Sequence, residues 1–342
     1  MERLALIMSH ADRRMDGAVR ELHFCAGLRR LGVDARIWRM HPGRETERED
    51  MLGVPVSFVP SDVPEEHVHR QVSAVLRAEI AAFRPDVALY KGLSYRVSSD
   101  VQASRPEGAR YGLIVGGSTT DPLVAGAAMI FGEYNEQLGR HFPKQRAAGR
   151  TMVLPKWIDL ERAGDGKPPL EAEFDIVNVG TFAEKRKNQQ ALLPFAARHR
   201  IAFVGGGPLM PPVREAVQQA GHAERVRFFG RLQHPEVFGV LRSARLMVHT
   251  STHDGLPRAT VEAMACGLPV IAFRDTIRGG FAPGTGLLVS EAGLPHAVEL
   301  LLADTELRLQ MGRAARRHIE AHHGAGALAR AADQAIALLK QT

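Results

Sequence analysis

The residues of this chain best able to do chemistry together lie between positions 178 and 270. In DGLPRATVEAMACGLPV, residues 254–270, Asp254 and Glu262 stand eight positions apart around the start of an expected short helix. Pro257 suits a first helical turn, where the N–H that proline lacks would go unpaired anyway. Gly267 ends the helix and Pro269 prevents it from continuing. A loop of Gly255, Leu256 and Pro257 therefore leads into a helix start, with one carboxylate before it and one inside it. Backbone amides at a helix N-terminus attract phosphate, and carboxylates accept hydrogen bonds from hydroxyls. Phosphate and hydroxyls together describe a sugar nucleotide. The alternative is a capping Asp and a solvated Glu.

Other segments carry the same chemistry. In NVGTFAEKRKNQQALL, residues 178–193, a strand runs into a basic loop and then an expected helix. Lys187, beside that helix start, is a point charge suited to a diphosphate; the alternative is a solvated basic turn. In FVGGGPL, residues 203–209, Gly205 and Gly206 let the backbone approach a ligand or take a positive φ. This run lacks the third glycine of the dinucleotide fingerprint, and a tight turn explains it equally. FFGRLQHPEV, residues 228–237, places Arg231 and Leu232 before a helix opened by Pro235, with His234 as a cap. No D-x-D pair, zinc-ligand spacing or G-x-S-x-G element stands out.

The string 254–270 resembles the C-terminal signature of retaining glycosyltransferases of family 4, whose fold is GT-B. The resemblance implies that Glu262 grips the nucleotide ribose and that Asp254 grips the hexose hydroxyls. Asp254 stands where the family carries Glu and is one methylene shorter. Lys187 matches the lysine that the family places on the diphosphate, whereas Thr181 stands where an arginine is usual; Lys185 and Arg186 are substitutes. The glycine turn at Gly205 and Gly206 would floor the nucleotide pocket, and Arg231 and Leu232 would meet the base. Gly17, before a helix expected over 18–31, would offer its N–H to the diphosphate. The histidine usual late in the first domain is missing from YGLIVGGSTTD, residues 111–121, where Gly116, Gly117 and Ser118 stand instead. His10 is another candidate near the site, and Glu133 and Glu136 read as helix surface.

These segments need elements to position them. Short apolar strands are expected at 3–8, 35–38, 56–59, 86–90, 111–115 and 127–131, then at 175–180, 200–204, 226–229, 245–249, 270–273 and 286–289. Helical patterns fall at 17–31, 66–83, 187–199, 209–220 and 295–303. Such alternation implies parallel sheets covered on both faces, in two doubly wound domains. The expected fold class is therefore α/β, and the resemblance implies GT-B, two Rossmann-like doubly wound domains facing across a cleft. The expected domains are 1–160, for the acceptor, and 161–325, for the nucleotide-sugar donor. An alanine-rich helix at 326–342 would cross back to the first.

A length of 342 residues accommodates two domains, and 45% hydrophobic with 24% charged residues is ordinary for a soluble globular chain. No run of 18 apolar residues suggests a membrane span. The N-terminus reads as a strand rather than a signal peptide. Cys25 and Cys266 read as reduced core thiols, which suggests a cytoplasmic chain, with the inner face of the membrane as an alternative. The net charge of +6 could serve nucleic acid, anionic lipid or phosphate-bearing substrates. Arginines are scattered without interleaved aromatics, so no nucleic acid is expected. The expected activity is metal-independent transfer of a hexose-type sugar, with retention, from a nucleoside diphosphate sugar to a glycan, lipid-linked or small-molecule acceptor. Lys187 and Asp254 are its catalytic candidates. No cofactor is expected beyond that donor substrate. The alternative is a non-catalytic GT-B protein that binds nucleotide or glycan.

Overall fold

The computed structural model describes residues 2–9, 15, 19–116, 120–167, 171–274, 276–277 and 279–341. The chain forms two compact units, Met1–Trp157 with Ala325–Thr342, and Ile158–Gly324. The sequence reading places these divisions at 160 and 325.

The first unit contains β1 (Arg3–Met8), α1 (Arg20–Arg30), β2 (Asp34–His41), β3 (Glu47–Met51), β4 (Val54–Pro60), α2 (Ala74–Phe83), β5 (Val87–Lys91), α3 (Arg96–Ala103), β6 (Arg110–Ile114), β7 (Met129–Gly132), α4 (Asn135–His141), α5 (Pro143–Ala147) and β8 (Thr151–Val153). Its sheet has the order β3-β4-β2-β1-β5-β6-β7-β8. All pairings are parallel except β3 with β4. Leu4 and Leu6 face one core while Ala5 and Ile7 face another. That alternation puts apolar side chains on both faces of the sheet, which is why the strand reads as a continuous apolar run.

The second unit contains β9 (Phe174–Val179), β10 (Ile201–Val204), α6 (Met210–Gln219), β11 (Val226–Gly230), α7 (His234–Arg242), β12 (Ala244–His249), α8 (Arg258–Ala265), β13 (Val270–Phe273), β14 (Gly286–Val289), α9 (Leu294–Ala303) and α10 (Thr305–His323). Its sheet, β11-β10-β9-β12-β13-β14, is wholly parallel. Helix α11 (Ala325–Gln341) then packs within the first unit, where Leu328, Ala331, Ala332, Ala335 and Leu339 join the core of Leu22, Cys25 and Leu28.

Several elements depart from the sequence reading, strand β8 among them, and three have a plain physical reason. The segment after Lys187 is a 3₁₀ helix, Gln189–Ala197, containing Pro194. Proline has no N–H to donate and its ring clashes with a preceding carbonyl, so a regular α-helix is disfavoured there. Helix α2 begins only at Ala74, where the Ser73 hydroxyl accepts from the Leu76 N–H at 3.2 Å. Strand β3, EREDM, escapes an apolar-run search because it is a charged, exposed edge strand.

Candidate functional site

The site is built in the second unit from three loops that follow β9, β10 and β12. Strand β9 hands over to Gly180, whose N–H bonds the Val204 carbonyl at 2.9 Å, and the Phe182 N–H bonds the Gly206 carbonyl at 3.0 Å. The two loops are stitched together so closely that a Cβ on Gly205, at φ +133°, would overlap the Gly180 carbonyl. Gly205 is thus required by loop-on-loop packing. Gly206 differs: a Cβ there would lie 3.6 Å from the Arg231 backbone nitrogen, in ordinary contact. Gly206 and Arg231 are therefore neighbours. The Arg231 side chain is exposed and Leu232 is half-buried.

A single-turn 3₁₀ helix, Lys185–Lys187, carries the cations, and Asn188 ends it in the left-handed region at φ +48°. Its backbone is tied to the loop after β12: the Thr250 hydroxyl donates to the Lys187 carbonyl at 2.7 Å, and the Thr252 N–H to the Arg186 carbonyl at 2.8 Å. Those ties bring Lys187 and Asp254 together. Lys187 Nζ donates to Asp254 Oδ2 at 2.8 Å, Arg186 Nη1 to Oδ1 at 3.1 Å, and His249 Nε2 lies 3.0 Å from Oδ2. Arg186 also holds Glu184 at 2.6 Å and the His253 carbonyl at 2.6 Å.

Burial works against the charge on Asp254. Hydrogen bonds from His249, Lys187 and Ser251, with the Lys187 charge, outweigh it and hold this carboxyl well below the usual carboxylate range. The residue is an anion at neutral pH, surrounded by donors.

Glu262 sits on α8, whose N-cap is Pro257 in an extended conformation rather than a residue of the first turn. Gly267 ends the helix at φ +78°, as its position suggests. Glu262 is 4% exposed. Its Oε1 lies 2.6 Å from His234 Nε2 and 4.0 Å from Arg258 Nε. His234 therefore does not cap α7. It is the helix's first residue and bridges to α8, while the Glu236 carboxylate accepts from the Gln233 N–H at 2.7 Å. Leu256 is buried against Gly280. Gly255 lies between Asp254 and Leu256 in the loop leading to α8.

Each expected donor carboxylate thus has a histidine at its back. His249 was not singled out by its sequence, although a polar residue closing the apolar strand RLMVH is a usable signal. Gly17 lies outside the described residues, as do His10, Gly117 and Ser118. Glu133 is not on a helix surface. It follows β7 in the first unit and takes Lys156 at 2.7 Å. Among the described residues, no three His, Cys, Asp or Glu side chains converge as metal ligands would, and no helix is long and apolar enough to cross a membrane.

Residues 173–304, which include this whole arrangement, match the family described as Glycosyl transferases group 1. Curated proteins similar to this chain include 2-deoxystreptamine N-acetyl-D-glucosaminyltransferase of Streptomyces fradiae. It is 35% identical over 139 residues, 38% of this chain and 32% of that protein. A GDP-mannose-dependent monoacylated alpha-(1-6)-phosphatidylinositol monomannoside mannosyltransferase of Corynebacterium glutamicum is 31% identical over 198 residues, 49% of this chain and 51% of that one. The chain thus spans a third to a half of the length of these curated relatives.

Similar solved structures include a sucrose-phosphate synthase from Thermosynechococcus elongatus, with a TM-score of 0.77 and 18% identity over all of both chains. Anabaena HepE in complex with UDP-glucose has a TM-score of 0.72 and 14% identity, covering 98% of this chain and 99% of that one. These likenesses establish the fold. The chain is α/β with the GT-B architecture of two Rossmann-like units.

Proposed function

We propose that this chain is a glycosyltransferase that moves a hexose-type sugar from a nucleoside diphosphate sugar to a glycan, lipid-linked or small-molecule acceptor. The observation that carries this reading is the ion pair of Lys187 with Asp254 at 2.8 Å, beside the helix that bears Glu262. It sets a phosphate-seeking cation next to a carboxylate able to accept sugar hydroxyls. In this reading the second unit holds the donor and the first holds the acceptor. Glu262 anchors the ribose with His234 fixing its carboxylate, Gly206, Arg231 and Leu232 flank the base, and Lys187 takes the diphosphate.

The reaction breaks the bond from the anomeric carbon to the phosphate oxygen and forms a bond to the acceptor oxygen on the same face. The acceptor's proton passes to the departing phosphate. Lys187, Arg186 and backbone amides stabilise the charge that develops on that phosphate, which is electrostatic catalysis without a metal. Asp254 holds the hexose and pairs with Lys187. The place of action is the cytoplasm or the inner face of its membrane.

Titration calorimetry with UDP, GDP and ADP tests the reading, followed by donor hydrolysis across a panel of nucleotide sugars. Heat with one nucleotide and turnover of its sugar are expected. Binding without turnover of any donor would make the chain a nucleotide-binding protein instead, and silence with all three nucleotides would remove the proposal. Glu262→Ala is expected to weaken the nucleotide by roughly one to two orders of magnitude. A charge-assisted hydrogen-bond pair is worth about 1.5–3 kcal/mol.

A further inference from the structure

A second charged cluster, wholly inside the first unit, has no part in the donor chemistry. We infer that it is a binding site for a small anionic group, phosphate or carboxylate, carried by the acceptor. The inference rests on the transferase reading and names the class of acceptor.

The topology gives the place. In the first sheet the winding direction reverses between β1 and β5. Open α/β sheets take ligands at the carboxyl ends of the strands beside such a reversal. Lys91 is the last residue of β5, at that point. Arg20 and Glu21 open α1, Glu133 follows β7, and Lys156 follows β8, so all five lie at the carboxyl ends of parallel strands or at a helix start facing them.

The charges form one chain of contacts. Glu21 takes Arg20 at 2.8 Å and Lys91 at 2.7 Å; Glu133 takes Lys156 at 2.7 Å and lies 3.8 Å from Arg20. Arg20 also donates to the Leu154 carbonyl at 3.1 Å. Among the described residues, three cations of this cluster face two carboxylates, one positive charge in excess. The exposure is graded: the Glu21 side chain is 1% exposed and that of Lys91 30%. The acid is sealed at the back and an ammonium is presented at the front.

A buried ion network of this size is a weak source of stability, because well-packed apolar residues serve as well or better. An unbalanced network opening at the ligand end of a sheet points to a ligand of the opposite sign. Burial pulls the Lys91 ammonium below its ordinary range, with Glu21 opposing and Arg20, then Lys156, adding repulsion. An arriving anion relieves both penalties. Lys91 has three N–H donors, and among the described residues Glu21 is its hydrogen-bonded side-chain partner. The ammonium can therefore hold Glu21 and an anionic oxygen together.

The test uses the full chain carrying Lys187→Met, which weakens anion binding in the second unit, and reads the Lys91 variants against that background. Inorganic phosphate and succinate are titrated by calorimetry, one for each source of the negative group, and both at two salt concentrations. At least one is expected to bind at about millimolar strength or better. Lys91→Met is expected to weaken it about tenfold and Lys91→Arg by less than about threefold, as for loss and retention of a charge-assisted contact. Because Lys91→Met strands a buried carboxylate, Lys91→Met with Glu21→Leu removes the pair together and is expected to show the same loss. Phosphate and succinate both silent, or affinity unchanged in the double variant, would overturn the inference. UDP, GDP and ADP titrated into the chain without Lys187→Met report separately on the donor reading, so the two failures are distinguishable.

Discussion

At the scale of single residues, the site turns on how Asp254 spends its oxygens. Lys187 and His249 share Oδ2, and Arg186 takes Oδ1. Asp254→Asn keeps the shape and removes the charge. If the residue holds sugar, the nucleotide sugar weakens while the nucleoside diphosphate binds nearly as before; equal losses would reduce Asp254 to a structural counter-ion of Lys187. The variant also has a pH signature. The folded carboxyl titrates below its ordinary value of 3.8, so its contribution to stability is complete above that value and is lost as pH falls further, through the folded value. The difference in urea-unfolding free energy between wild type and Asp254→Asn is therefore expected to be flat from neutral pH to about pH 5 and to shrink only below 3.8. A difference already shrinking near pH 6 would mean that a histidine, and not Asp254, titrates. His249→Leu removes one donor from a carboxyl that burial already disfavours, at a cost of about 1–3 kcal/mol. Its effect on nucleotide-sugar affinity is expected to follow that of Asp254→Asn.

At the scale of elements, the glycine turn after β10 separates packing from ligand contact. Gly205→Ala would drive a Cβ into the Gly180 carbonyl at a φ of +133°. Several kcal/mol of destabilisation, roughly 3 or more, is expected in urea unfolding, as for strained backbone combined with overpacking. Gly206→Ala meets nothing closer than 3.6 Å and is expected to leave stability within about 0.5 kcal/mol, any change appearing in nucleotide affinity alone. The same contrast shows what the sequence makes legible. Each of the twelve apolar runs read as strands is a strand, because a parallel sheet covered on both faces demands continuous apolar residues. Strand β3 was illegible because edge strands are defined by their position, and EREDM carries no apolar pattern. The turn of 3₁₀ helix at Pro194 was hidden by an apolar spacing that suits either helix. In the site, the spacing of Asp254 and Glu262 and the closing Gly267 were visible. The partnership of His234 with Glu262 was not, since it joins two helices separated by a strand and no local pattern records it.

At the scale of the whole molecule, the chain order and the compact units do not coincide. The first unit is finished by α11, whose sequence follows the entire second unit. Leu328 and Leu339 lie in the core beside α1 at 2% and 0% exposure, and a Cβ on Gly27 would stand 3.1 Å from that of Ala332. Burying two leucines contributes roughly 1.5–3 kcal/mol each, a large share of the roughly 5–15 kcal/mol that separates a folded domain from its unfolded chain. The second unit has its own core of Ile176, Phe203, Leu246 and Ile271, built without α11. A chain ending at Gly324 is therefore expected to lose cooperative unfolding of the first unit while the second still unfolds as a unit and still binds the nucleotide taken up by the full chain. Calorimetry of the truncated chain with and without that nucleotide reads both at once. Loss of the nucleotide-dependent transition would show that the second unit does not hold the nucleotide by its own residues. Gly27→Leu tests the same seam without truncation. Its side chain would push α11 from α1, and the expected effect is destabilisation of the first unit alone, with the nucleotide-dependent transition unmoved.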